Sequence, residues 1–193
     1  MITLILTTSE IADGISTNQR KEKAMKKLFC GMLAGLAGFG LWAGSTAEIP
    51  LIFNSAKDIH CWSREETKIE YGENKAVIKV IGDGGKDLQL GPLYRGGLEK
   101  GVRYRVKGTL LSSMDAKVLC YISQHDAPYA QLAQIDGRNG KQLLLAKETP
   151  QTFSFEFVAD KNFSGTCRMP GMTIAAPQAG QVITISDVTL SRE

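Results

Sequence analysis

The side chains here with the most chemistry are two histidines, His60 and His125, and three cysteines in the body of the chain, Cys61, Cys120 and Cys167. Around them lie Trp62, Tyr94, Tyr121 and Tyr129, with Gln89 and Arg168 as polar companions. Their spacing argues against making or breaking bonds. Neither a zinc-protease H-E-x-x-H nor a nucleophile-elbow G-x-S-x-G is present. Cys61 follows His60 directly, but catalytic Cys–His pairs meet in space rather than in sequence. Glycoside hydrolysis needs two carboxylates flanking one bond, and no pair stands out by motif. Asp136-Gly137-Arg138-Asn139-Gly140 resembles a calcium loop but lacks the closing glutamate, so it reads as a turn. No enzyme activity, metal centre or cofactor is expected. Non-covalent recognition remains, through flat rings that stack and amide, imidazole and guanidinium groups that hydrogen-bond.

Strict alternation sets where these side chains point. In Val102 to Lys107 the even positions are apolar and the odd ones basic; in Thr152 to Phe157 the odd positions are aromatic. Ile69 and Tyr71 alternate with Lys68 and Glu70, and Leu88 and Leu90 flank Gln89. Period two over such runs defines half-buried strands. With Val118, Cys120 and Ile122 facing a core, Tyr121, Ser123 and His125 face outward from the same strand. Gln89 points away from Leu88 and Leu90. Arg168 has the opposite parity to Cys167 and Met169, so it shares an outward face. Trp62, Tyr94 and Tyr129 lie near turns, where rings line clefts; for Trp62 the alternative is a cap on the core. Tyr104 sits on the apolar parity and belongs to the core. Only Tyr129 to Ile135 is ambiguous between strand and helix.

Turn residues divide the runs at Gly72-Glu73-Asn74-Lys75, at Gly82 to Gly85, at Gly96-Gly97, at Gly101 and at Asp136 to Gly140. About nine short strands at this spacing predict an all-β antiparallel sandwich of the jelly-roll type. In the last strand Ile183 and Ile185 share a parity that Val188 and Leu190 reverse, which predicts a bulge near Ser186-Asp187. The inward parity of Cys120 and Cys167 makes them the expected disulfide partners; the alternative is three buried thiols.

The first residues read as addressing. Met25-Lys26-Lys27, an apolar run from Leu28 to Ala43 and the small-residue end Ser45-Thr46-Ala47 describe a secretory signal peptide over 25–47. The run is shorter than the ~20 residues of a spanning helix. Residues 1–24 fit no signal pattern and read as an upstream start artefact, with Met25 as the true start. The mature part, 48–193, is one domain of ordinary size, exported to the periplasm or beyond and not held in a membrane after cleavage. The whole chain carries 23 basic and 20 acidic residues. Much of that small surplus lies in the leader, leaving no concentrated basic face for nucleic acid.

Several segments in order resemble carbohydrate-binding modules of families four, nine and twenty-two, which share the galactose-binding-like jelly roll. These are Leu51-Ile52-Phe53-Asn54, an early strand leading to Trp62; Asp87-Leu88-Gln89-Leu90; Leu98 to Gly108; Phe153-Ser154-Phe155-Glu156-Phe157; and the ending from Ile183 to Leu190. The resemblance covers nearly all of 48–193. It implies non-catalytic binding of a polysaccharide or glycan, with rings against the C–H face of a pyranose and polar groups on its hydroxyls. Tyr121, Gln89, His125, Trp62, Tyr129, Tyr94 and Arg168 are the residues expected at such a site. Family members often hold a structural calcium ion near the closing strand. Asp187 matches one acidic position there, but Ser186 stands where an acid is usual, and Glu48 is the remaining oxygen donor. Fold does not settle function, and the alternative is a structural or protein-contact jelly roll in an envelope or secreted assembly, with a protein partner and no sugar site.

Overall fold

The alternating runs each become a strand whose apolar parity is buried. The computed structural model describes residues 47–62 and 64–193, which belong to one compact unit, Thr46–Glu193. The leader, 25–47, and the segment before it fall almost wholly outside the described residues. Twelve strands and one 3-10 turn follow in chain order. The strands are β1 (Glu48–Pro50), β2 (Ile59–Cys61), β3 (Thr67–Gly72), β4 (Lys75–Val80), β5 (Leu88–Tyr94) and β6 (Arg103–Ser112). They continue with β7 (Ala116–Gln124), β8 (Gln131–Ala133), β9 (Lys141–Leu145), β10 (Gln151–Val158), β11 (Cys167–Ile174) and β12 (Val182–Arg192).

Two antiparallel sheets result. The first runs β10-β6-β12-β4-β3, with β1 on β12; the second runs β2-β5-β11-β7-β8, with β9 also on β7. Tyr104, Val106 and Leu110 from β6, Phe153, Phe155 and Phe157 from β10, and Ile183, Ile185, Val188 and Leu190 from β12 face Leu88, Leu90, Val118, Cys120, Ile122, Met169 and Met172 of the second sheet. These make one shared core, with the ring pairs Phe153–Phe155 and Tyr104–Phe157 stacked at 5.1 and 5.4 Å. The all-β sandwich is therefore observed, with more strands than the nine expected because β1, β2 and β8 have three residues each.

The bulge in the closing strand is present. Pairing of β12 with β6 shifts between Ser186 and Thr189, and Asp187 takes a φ of 53°. That extra residue lets Ile183 and Val188 both point inward. The hairpin at Gly72 to Lys75 also closes as expected, with Gly72 opposite Lys75. Tyr129 to Ile135 contains β8 and no helix.

Two expectations are corrected. The early strand is Glu48–Pro50, paired with β12, and not Leu51–Asn54, of which only Phe53 makes an isolated bridge to Gly72. The Cys120–Cys167 disulfide does not form: all three described cysteines are free and buried. Cys167 lies opposite Gln124 on β7, four residues along from Cys120. At the strand rise this is about 13 Å, beyond the roughly 7 Å Cα separation that a disulfide spans. Burial pushes the Cys120 and Cys167 thiols up to about 12, so they behave as small core hydrophobes.

The outer faces of the two sheets differ in chemistry. On the first, Arg103, Arg105 and Lys107 are matched by Glu156, Glu193 and Glu48 in ion pairs. On the second, aromatic and uncharged polar side chains dominate.

Candidate functional site on the second sheet

Register places the site residues in rows across the second sheet. One row runs from Trp62, whose amide donates to the Gln89 carbonyl, to Gln89 on β5, Thr173 on β11 and Leu119 on β7. The next runs from His60 on β2 to Gly91 on β5, past the Pro170-Gly171 step of β11, to Tyr121 on β7. A third holds Leu93, Arg168 and Ser123. His125 follows β7, its amide donating to the Thr166 carbonyl at 2.8 Å. Six of the seven expected residues thus share one face: Trp62, Gln89, Tyr121, His125, Tyr129 and Arg168. No strand position on this face carries a carboxylate.

Tyr94 is the exception. It lies opposite Cys167, on the inward parity, and packs against the core at the end of the sandwich. There it lines a separate cleft of about 410 Å³ with Leu98, Tyr104, Phe163 and Arg192. The strand continues its parity unbroken through Gly91 and Pro92, so the ring that follows Leu88 and Leu90 by even steps points in.

A local irregularity in β11 shapes the face. Cys167 and Met169 point inward, as do Met172 and Ile174, so the strand changes phase between them; its register shifts against both β5 and β7 there. The step needs glycine. A Cβ on Gly171 would stand 2.4 Å from the Tyr121 ring, and one on Gly91 would stand 2.4 Å from the Pro170 carbonyl oxygen. Tyr121 therefore lies flat over Gly171, close to the backbone.

The rings of His60 and His125 meet edge to face at 5.1 Å, although their strands are three places apart in the sheet, about 14 Å at the usual spacing. The two side chains reach toward one another across the strands that carry Gly91 and Gly171, marking out a groove on this face. Arg168 forms its floor, 5% exposed, with its guanidinium 5.6 Å from the Tyr121 ring and 5.7 Å from the Tyr129 ring. Such stacking on two aromatic faces suits a guanidinium. Trp62 stands at the edge, 59% exposed, and is no cap on the core. Tyr129 is 54% exposed on the loop after β7.

Among the described residues, four buried side-chain nitrogen or oxygen atoms lack a hydrogen-bond partner: His60 Nε2, Ser123 Oγ, His125 Nδ1 and Arg168 Nε. All four line this groove. Buried polar groups elsewhere are paired, as where Gln181 Nε2 donates to Ser112 Oγ at 2.9 Å. An unpaired buried polar atom costs about 1–3 kcal/mol, so concentrating four at one place is a feature of a site that an incoming polar partner completes.

His60 is held to a pKa of about 4 by burial first, then by the positive charges of Arg168, His125 and Arg64. The unfolded chain takes up the proton near 6.5, so it binds more protons than the folded state between pH 6.5 and 4. Stability therefore falls as pH drops through that window. Allowing for the ring's partial solvent access, the expected loss is about 1–2 kcal/mol. Urea unfolding at pH 7 and pH 5 measures it, and His60→Gln flattens the dependence.

Calcium at the closing strand does not fit these residues. The Glu48 carboxylate bonds Lys107 Nζ at 2.6 Å, and that bond draws its pKa down. Ser186 supplies no charge, and no group of three or more potential metal ligands occurs among the described residues.

Sequence reasoning missed His60 and Gly171 as parts of the groove. The strand Ile59–Cys61 is only three residues long, and its parity signal was His60 and Trp62 on one side with Ile59 and Cys61 on the other. The change of phase from Cys167 and Met169 to Met172 and Ile174 marked the step at Pro170-Gly171.

Neither a protein-family model nor a curated protein sequence matches the chain. Solved structures do match. One described as CBM4 has a TM-score of 0.53 at 15% identity, over 71% of this chain and 96% of that one. The N-terminal cellulose-binding domain of β-1,4-glucanase C from Cellulomonas fimi has a TM-score of 0.52 at 14% identity, over 72% and 91%. An arabinose-bound MgGH51 α-L-arabinofuranosidase has a TM-score of 0.53 at 13% identity, over 76% of this chain and 26% of that longer one. At such identities the likeness is one of fold: this chain shares the jelly-roll sandwich with these structures.

Proposed function

We propose that this protein binds carbohydrate, without altering it, in the groove on the outer face of the second sheet. The observation that carries the reading is the gathering of Trp62, Tyr121 and Tyr129 with the unpaired polar atoms of His60, Ser123, His125 and Arg168 on one face. Rings present flat apolar surface to the C–H face of a pyranose, and unpaired donors and acceptors meet its hydroxyls. Trp62 follows β2 and Tyr121 lies on β7, three places across the sheet, so a sugar chain that touches both crosses the strands. The carbohydrate-binding and cellulose-binding domains that share the fold support the same reading. Binding without hydrolysis agrees with a face that lacks the two carboxylates such chemistry needs. The protein is exported, with residues 25–47 as its leader, and meets its glycan in the periplasm or outside the cell.

The test is retention on a panel of soluble and insoluble polysaccharides, with Trp62→Ala and Tyr121→Ala beside the wild type. We expect binding to a defined polymer that each substitution weakens about 10-fold or more, in line with the 1–3 kcal/mol lost with a stacking platform. Trp62→Ala leaves the melting temperature unchanged, because the ring packs against little. A folded protein that no polymer retains contradicts the proposal.

A further inference from the structure

Among the described residues Arg168 is a buried cation without a counter-ion. Its guanidinium makes a long hydrogen bond there, 3.4 Å, from Nη2 to the Gln124 carbonyl. A neutral carbonyl does not compensate a buried charge, and removing such a charge from water is expensive unless an opposite charge meets it. Two guanidinium groups, Arg168 and Arg64, act electrostatically on the neighbouring His60. Of the carboxylates on neighbouring segments, Asp58 is engaged with Ser55 and Arg95, and Asp87 with the Ala176 amide. Arg168 makes the groove floor electropositive.

We propose that the glycan taken by this groove is acidic, with the carboxylate of a hexuronate residue received by Arg168 and its neighbours His60, Ser123 and His125. This rests on the glycan-binding reading and names the class of sugar. The planar guanidinium matches a planar carboxylate through paired N–H···O bonds. Tyr121 and Tyr129 hold that plane from two sides, so the fork is fixed before the ligand arrives. Ser123 Oγ and the unpaired imidazole nitrogens supply further hydrogen bonds to the carboxylate or to the adjacent ring hydroxyls.

The experiment compares polygalacturonate, alginate and glucuronoxylan with the same polymers after their carboxyl groups are reduced to alcohols, by affinity electrophoresis and calorimetry. Wild type is expected to bind at least one native polymer about 10-fold more tightly than its reduced form. Arg168→Gln is expected to bring the two within about twofold of each other. Equal affinity for native and reduced polymers in the wild type overturns the proposal without any variant, so a misfolded Arg168→Gln does not shield it. A preference that survives in folded Arg168→Gln overturns it as well. Equally strong binding of dextran sulfate overturns the commitment to a carboxylate. Binding to neutral polymers alone leaves the carbohydrate reading standing and removes this one; binding to none removes both.

Discussion

Replacing Phe155 with alanine lowers the unfolding free energy by about 3–5 kcal/mol and the thermal midpoint by about 10–20 °C. The ring is 2% exposed, stacks on Phe153 at 5.1 Å and carries Lys141 Nζ 5.5 Å from its centre. It fills the space between β10 and the second sheet, where neighbours from two sheets cannot close on a void because both ladders hold them apart. A domain of this size has about 5–15 kcal/mol in total, so the loss approaches the threshold of folding. Chemical denaturation checks it, and the midpoint should move with little change in slope. A loss below about 1 kcal/mol means that the ring is not packed between the sheets.

Gly91→Ala is the second large effect, about 3 kcal/mol, at the upper end of overpacking penalties. The added methyl would stand 2.4 Å from the Pro170 carbonyl oxygen and 3.1 Å from the Gly171 Cα. Both are backbone atoms, so no rotamer change relieves the clash, and β5 must move away from β11. That movement disturbs the step on which Tyr121 lies and the floor that holds Arg168. Urea melts measure the stability loss, and the same protein should bind glycan more weakly than its remaining stability explains. Near-neutral stability would show that β5 and β11 approach less closely than the structure places them.

The legibility of this fold depended on which residues carried alternation. β6, β7 and β10 are long, and their inward sides are apolar except for Ser112 and Gln124 at strand ends, so both their existence and their facing could be read from spacing. The bulge at Asp187 was visible for the same reason: a parity reversal in an apolar run has few other causes. Parity also put Tyr121, Gln89 and Arg168 on the outer face. Tyr94 was placed only by its nearness to a turn, which does not give the facing of its ring. Here β5 runs on through Pro92, opposite Ile59. The disulfide expectation failed because parity gives the facing of a residue but not its distance along the sheet. The groove itself was beyond sequence reading. Nothing in the spacing of His60 and His125 tells that their rings meet from strands three places apart, because that depends on the register that brings two glycines between them.

The contrast between the two outer faces also bears on function. The charges of the first sheet form ion pairs with one another, whereas on the second Arg168 Nε, His60 Nε2 and His125 Nδ1 lack hydrogen-bond partners among the described residues. Exposed ion pairs contribute little to stability, and neither Arg105 nor Glu156 needs anything further. The unpaired groups of the groove do, which is why binding is assigned there and not to the flat charged face.

The most direct measurement is an amide chemical-shift map of the 15N-labelled protein titrated with an oligosaccharide from the polymer it retains best. The account predicts perturbations confined to the second sheet's outer face, centred on His60, Gln89, Tyr121, Arg168 and the Trp62 indole. Perturbations centred instead on the Tyr94–Phe163–Arg192 cleft, or on the charged face of β6 and β10, would contradict it.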